Sequence, residues 1–288
     1  MKLYSINHGH FKLDGGAMFG VVPKSIWNTL NPADENNMCS WAMRSILIED
    51  DNRLILVDTG MGNKQSEKFF GYYYLHGNDN LDKSLSLHGI HRDDITDIFH
   101  THLHFDHCGG AIKREGEQLV PAFKNARFWS NKDHWKWATQ PNHREKASFL
   151  KENILPMQES GKLQFVEGRT QQENRLDIAP FSTNTQIRFA NGHTDAMMLP
   201  QMNYKERTIV FVSDLIPSVG HIPLPYLMAY DTRPLQTLTE KELFLKEALA
   251  NDYILFFQHD RLNECCTLQQ TARGIREKEI FKLDNIIE

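Results

Sequence analysis

Residues 101–110 read Thr101-His102-Leu103-His104-Phe105-Asp106-His107-Cys108-Gly109-Gly110. Three imidazoles and a carboxylate fall between positions 102 and 107, a density that neither a packed core nor a solvated surface calls for. Neutral imidazole nitrogen and carboxylate oxygen are the usual ligands of zinc and similar divalent ions, so the stretch reads as a metal site. The segment before it, residues 94–100 with Ile95, Ile98 and Phe99, reads as a strand running into the motif. If the chain stays extended, side chains two apart share a face. His102, His104 and Asp106 would then converge, with Leu103 and Phe105 turned to the interior. His107 breaks that alternation and faces a different point. Gly109 and Gly110 then permit a tight turn that returns the chain beneath the ligands. One segment thus offers two sets of ligands, which implies two metals side by side.

The rest of the chain sets bounds on this reading. Its 288 residues are 40% hydrophobic and 24% charged, ordinary values for a soluble globular protein. A net charge of −5 and the lack of a Lys/Arg run argue against a nucleic-acid partner. The N-terminus has no apolar core of signal-peptide length, and no stretch of about 18 apolar residues forms a membrane span. Cys39, Cys108, Cys265 and Cys266 form no disulfide framework, so a reduced, cytoplasmic setting is expected.

Strand-like runs fill residues 2–13 and 43–58, where Arg44–Glu49 and Arg53–Asp58 flank the turn signal Asp50-Asp51-Asn52. Helices are expected at 64–70, at 81–88, within 131–154 and near 238–250. Strands are expected at 126–129, 163–166, 186–190, 196–202, 208–212 and 253–257. Two rounds of strands and helices, with no linker or repeat between them, point to a layered α/β architecture. Three more ligand-type residues stand at the ends of expected strands: His193 after Gly192, Asp214 in Val210-Phe-Val-Ser-Asp214, and His259 in Phe256-Phe-Gln-His259. Each alone reads as a strand-end polar group meeting solvent. Their order after the first motif makes that reading hard to keep.

In this order of motifs the chain resembles the metallo-β-lactamase superfamily of hydrolases over most of its length. Asp58 in Leu56-Val-Asp58-Thr-Gly60 fits the first motif, His102/His104/Asp106/His107 the second, and His193, Asp214 and His259 the remaining three. The resemblance implies a four-layer αββα sandwich, one domain over residues 1–288, with metals at the edge of the two sheets. It implies that His102, His104 and His193 hold one metal, that Asp106, His107 and His259 hold the other, and that Asp214 bridges them. Asp58 would be a buried support for the ligand loop. The cofactor would be two divalent ions, zinc before iron, manganese or cobalt.

The ligand set narrows the branch. The oxygen-reducing diiron branch commonly has Glu where Asp106 stands, and many true zinc β-lactamases have Cys where Asp214 stands. Lactonases, phosphotriesterases, thioesterases and phosphodiesterases remain. An N-terminal extension, about residues 11–42, is similar to that of quorum-quenching lactonases and methyl parathion hydrolase relatives. It would contribute to the pocket or to a dimer interface. The expected reaction is attack of a metal-bridging hydroxide on a small lactone or ester, with Asp106 orienting the nucleophile and carrying its proton. Phosphotriester or phosphodiester hydrolysis is the alternative, and a metal-binding protein without turnover the third. Met18, Phe19, Trp27 and His221 are the expected substrate wall, and Tyr226 or Tyr230 the expected helper of catalysis. The resemblance and the apolar N-terminal segment suggest a homodimer.

Overall fold

The computed structural model describes residues 1–166, 175–176 and 184–287. The expected αββα sandwich is what the chain forms. Its first sheet runs Lys2–Asp14, Met38–Asp50, Arg53–Val57, Asp97–Phe99, Arg127–Asn131, Leu163–Val166. The second runs Gly274–Phe281, Cys265–Thr271, Ile254–Phe256, Arg207–Phe211, Met197–Tyr204, Thr185–Ala190, Arg175–Leu176. Continuous apolar runs such as Ile46-Leu-Ile48 and Leu54-Ile-Leu-Val57 fit strands covered on both faces. Alternation divides them: Ile46, Ile48, Ile55 and Val57 meet Phe211, Ile254 and Phe256 between the sheets. Leu47 and Leu56 face outward, where they share a core with Leu81, Leu85, Trp135 and Ile154 of the covering helices. On the outside of the second sheet, Phe244, Leu245 and Ala248 of helix Pro234–Ala250 pack on Leu199, Val210 and Leu255.

The hairpin turn lies where Asp50-Asp51-Asn52 placed it, with Asp51 in the left-handed region at φ 50°. The expected helix at 64–70 is displaced to Glu67–Tyr73, capped by the Ser66 side chain on the Phe69 amide. Within 131–154 the chain forms Lys132–Thr139 and then Lys151–Glu159, which runs past the expected end. Among the described residues, no helix is long and apolar enough to cross a membrane.

The arrangement of parallel strands positions the site. Arg53–Val57, Asp97–Phe99, Arg127–Asn131 and Leu163–Val166 run parallel, as do Arg207–Phe211 and Ile254–Phe256. The loops leaving these strands carry Asp58, the 101–110 motif, Asp214 and His259, so distant parts of the chain arrive at one end of the sandwich. Among the described residues the four cysteines are free and buried.

Candidate metal centre

The extended geometry expected for the motif is not what forms. His104 is the last extended residue (φ −63°, ψ 153°), and Phe105–Cys108 closes into one helical turn. The amides of His107 and Cys108 both donate to the His104 carbonyl, at 3.1 and 3.0 Å. Asp106 therefore leaves the company of His102 and His104 and joins His107. Leu103 is buried as expected, but Phe105 lines a cavity, with its ring against Phe69 and Tyr73. The following glycines serve close approach rather than an unusual φ. A Cβ on Gly110 would lie 2.1 Å from the Thr59 carbonyl oxygen, and one on Gly109 2.2 Å from that of Met61.

Two groups of ligand atoms result: His102, His104, His193 and Asp214, and beside them Asp106, His107 and His259. In the first, His104 Nδ1 lies 3.1 Å from His102 Nε2 and 3.3 Å from His193 Nε2. In the second, His107 Nε2 and His259 Nε2 are 3.3 Å apart, with Asp106 Oδ2 at 3.7 and 3.8 Å from them. Asp214 reaches both groups. Its Oδ2 is 3.1 Å from His193 Nε2 and 3.5 Å from His107 Nε2, while Oδ1 is 3.1 Å from His259 Nε2.

The outward side of each ring shows what these atoms are suited to hold. His193 Nδ1 is 3.0 Å from Asp231 Oδ1, His107 Nδ1 3.0 Å from Asp58 Oδ2, His104 Nε2 3.3 Å from Glu145 Oε1, and His259 Nδ1 2.8 Å from the Ala42 carbonyl. These partners only accept hydrogen bonds, so each ring keeps a proton outward and leaves its inward nitrogen as the one that can bind a cation. His102 Nδ1 lies 3.1 Å from Thr101 Oγ1, whose own proton goes to Asp58 Oδ2 at 2.7 Å. Inward ring nitrogens and carboxylates crowd together, and the buried Asp214 Oδ1 has no hydrogen-bond partner. That donor set fits divalent cations.

The buried Asp214 carboxylate calls for positive charge at this point, from protons on the rings or from a cation among them. Burial and the neighbouring imidazoles hold His102 well below the usual histidine range. Burial would lower His107 and His193 too, but Asp214 outweighs it and raises both, His193 to about 10. Burial raises Asp214, yet the surrounding imidazoles hold it well below the usual carboxylate range.

Asp58, fully buried and at φ 60°, binds the Thr101 amide and hydroxyl, His107 and Gln258, which compensates its strained backbone. The supports Glu145, Asp231 and His134 were not legible as such in the sequence. His134 stays neutral, lowered by burial to about 4, and accepts the Leu103 amide at 2.8 Å. Its only sequence signal is a lone His on a short helix.

A cavity of about 360 Å³ opens over the ligands. Leu13, Met18, Tyr73, Phe105 and Met228 form its apolar side, with Tyr230, Arg144 and Ser148 also lining it. Of the expected substrate wall, Met18 is there. Phe19, Trp27 and His221 are not: at 0, 1 and 1% exposure they are the extension's own core, with the Phe19 ring stacked on both Trp27 and His221. His221 bonds the Met18 carbonyl at 2.8 Å and Ser218 Oγ at 2.7 Å, which locks the loop to the extension. Tyr226 lines a separate cleft with Leu30 and Arg261, so Tyr230 is the expected tyrosine that reaches the cavity. Tyr73 joins it, a residue whose position on an exposed short helix gave no hint. Burial and the charge of Asp106 push its phenol up to about 12, so it stays a proton donor.

The loop behind Tyr230 is held by a buried cation. Lys241 Nζ, fully buried on helix Pro234–Ala250, donates to the Pro223 and Tyr226 carbonyls, both at 2.9 Å. Burial lowers it from 10.5 to about 7, against the opposing charge of Asp231. Below pH 7 both folded and unfolded states carry the proton, and the cost of burying the charge is full. Between pH 7 and 10.5 the folded state has lost a proton that the unfolded state keeps, so stability rises with pH. Wild type should gain on Lys241→Met by up to about 1.4 kcal/mol per pH unit in that window, read from denaturant unfolding of both proteins. A stability difference independent of pH would refute this.

The match to known proteins follows the same residues. A family model described as the metallo-beta-lactamase superfamily matches residues 44–259, which contain all the ligand groups above. The chain belongs to the metallo-beta-lactamase superfamily. The N-acyl homoserine lactonase AiiA of Bacillus thuringiensis subsp. kurstaki is 30% identical over 165 residues, covering 54% of this chain and 56% of that protein. The chain thus spans about half the length of the curated relatives it matches. A probable metal-dependent hydrolase from Staphylococcus aureus superposes with TM-score 0.85 at 26% identity, over 97% of this chain and 96% of that one. AidC, a dizinc quorum-quenching lactonase solved with a product, shares the fold at TM-score 0.77 and 21% identity, over 97% and 95% of the two chains.

Proposed function

We propose that this superfamily member is a dinuclear metal-dependent hydrolase of small lactones and esters, of the acyl-homoserine-lactone kind. The observation that carries the reading is the Asp214 carboxylate, which stands between two ligand groups beneath a cavity with an apolar side. The N-acyl homoserine lactonases among its relatives support the substrate class. The reading takes residues 1–288 as one domain, whose N-terminal extension contributes Leu13 and Met18 to the cavity wall.

His102, His104 and His193 would hold one ion, Asp106, His107 and His259 the other, with Asp214 shared; nitrogen and oxygen donors favour zinc and also suit iron, manganese or cobalt. Two divalent ions, when bound, supply a nucleophile near neutral pH and polarise the substrate oxygen. The chain does the rest. Asp58, Glu145 and Asp231 hold the imidazoles in one tautomer and one orientation. Asp106 Oδ1, the oxygen not turned toward His107 and His259, takes a proton and delivers it to the leaving oxygen. Leu13, Met18 and Phe105 exclude water beside the acyl group.

A phosphotriester or phosphodiester would use the same ligands, so it is the competing class in the test. Enzyme with its metal content measured should be assayed side by side on an acyl-homoserine lactone, an aryl ester and a chromogenic phosphate triester. The expected result is a kcat/KM on lactone or ester at least about tenfold above that on phosphate, a margin of about 1.4 kcal/mol in barrier. The reverse order would overturn the substrate assignment. Two bound ions with no turnover on any of the three would overturn the hydrolase reading.

A further inference from the structure

Among the described residues that line the cavity, Arg144 carries the only fixed positive charge. It stands beside Glu145, whose carboxylate is taken up by His104, Trp137 and Asn142. Its Nη2 donates to the Ala229 and Asp231 carbonyls. A guanidinium has five N–H donors in a fixed plane, so anchoring through one nitrogen orients the rest without using them. Among the described residues, Nε and Nη1 find no protein acceptor. The other uncharged polar groups of the lining, the Tyr73 and Tyr230 phenols and the Ser148 hydroxyl, can also donate. The lining carboxylates are committed: Asp106 and Asp214 stand among the imidazoles, and Glu145 is fully bonded. The cavity therefore presents hydrogen-bond donors and a cation beside an apolar surface.

We propose that Arg144 makes the cavity selective for esters or lactones that carry a carboxylate away from the scissile carbonyl, which the free edge of its guanidinium binds. This rests on the hydrolase reading above, keeping the lactone or ester bond but replacing the neutral acyl chain of an acyl-homoserine lactone by one that ends in a carboxylate. A neutral acyl chain would use only the apolar side and would leave the donors to water. A carboxylate accepts charge-assisted hydrogen bonds from them, and no uncommitted lining carboxylate repels it. The attraction is partly screened because the side chain is exposed, so it falls as salt rises.

The test uses metal-loaded protein and two p-nitrophenyl esters that differ by one carboxylate on the last carbon of the acyl chain, the neutral butyrate and the mono-ester of glutaric acid. Wild type should prefer the carboxylate-bearing ester by about tenfold or more in kcat/KM, chiefly through KM, the scale of one charge-assisted hydrogen bond. Arg144→Gln should abolish that preference, costing the carboxylate-bearing ester about tenfold more than the neutral one, and Arg144→Lys should restore part of it. High salt should erode the preference in wild type only. Equal losses on both esters would show that Arg144 merely props residues 229–231, and would overturn the proposal, as would an unchanged preference.

Calorimetric binding of glutarate against butyrate keeps the two readings apart. If neither of these esters, nor the lactone and phosphate substrates above, turns over, the hydrolase reading falls. The second carboxylate of glutarate still tightens binding in wild type and not in Arg144→Gln if Arg144 reads it. Equal affinities for the two acids would overturn the Arg144 assignment by itself.

Discussion

Asp214→Asn is expected to lose about 1,000-fold or more in kcat/KM and to bind fewer ions per chain than wild type. Both carboxylate oxygens are in use, Oδ2 toward His193 and His107 and Oδ1 toward His259. An amide keeps the shape but offers one oxygen, and its NH₂ turns protons toward imidazole lone pairs. The same substitution should diminish the stabilisation that metal gives the fold. A ligand at about 1,000 times its Kd adds about 4 kcal/mol, which in a domain of this size raises Tm by about 8–16 °C. Wild type should lose a shift of that order after chelation, and Asp214→Asn should lose much less. Elemental analysis, thermal unfolding with and without chelator, and turnover check it together. A variant with two ions and wild-type turnover would end the case for a shared carboxylate.

Asp106→Asn separates binding from chemistry. His102, His104, His193 and Asp214 do not depend on Asp106, so the variant should keep part of its metal. Turnover should fall by about 100- to 10,000-fold, the usual contribution of a positioned proton-transfer group. Asp106 lies 9% exposed in the cavity lining, where a substrate can reach it. Unchanged kcat with metal retained would show that Asp106 takes no part in proton transfer.

How far these residues were legible in the sequence depended on the range of the information. The strands at 2–13 and 43–58 could be read because alternation and turn chemistry are local. The helix at 64–70 was displaced to Glu67–Tyr73 because the Ser66 cap, not the apolar pattern, set its start. The seven expected ligands are brought together, since all lie in loops or turns that follow strands, in an order that a resemblance can recognise. The wall was read less well. Phe19, Trp27 and His221 have the composition of a substrate pocket but fold into a core of their own, which burial alone distinguishes. Tyr226 and Tyr230 are four residues apart and indistinguishable by type, yet they line different clefts.

The 101–110 segment shows the same division within ten residues. By itself the sequence determined that ligand atoms of two kinds are concentrated there, because residue identity fixes donor chemistry. Only the tertiary structure decided how they are shared out. One helical turn after His104 moved Asp106 to His107 and His259, and loops more than 80 residues away delivered His193, Asp214 and Asp231. It also turned Glu145 onto His104 and left Arg144 in the cavity lining. Those placements follow from loop packing between two sheets, and no local period in the chain encodes it.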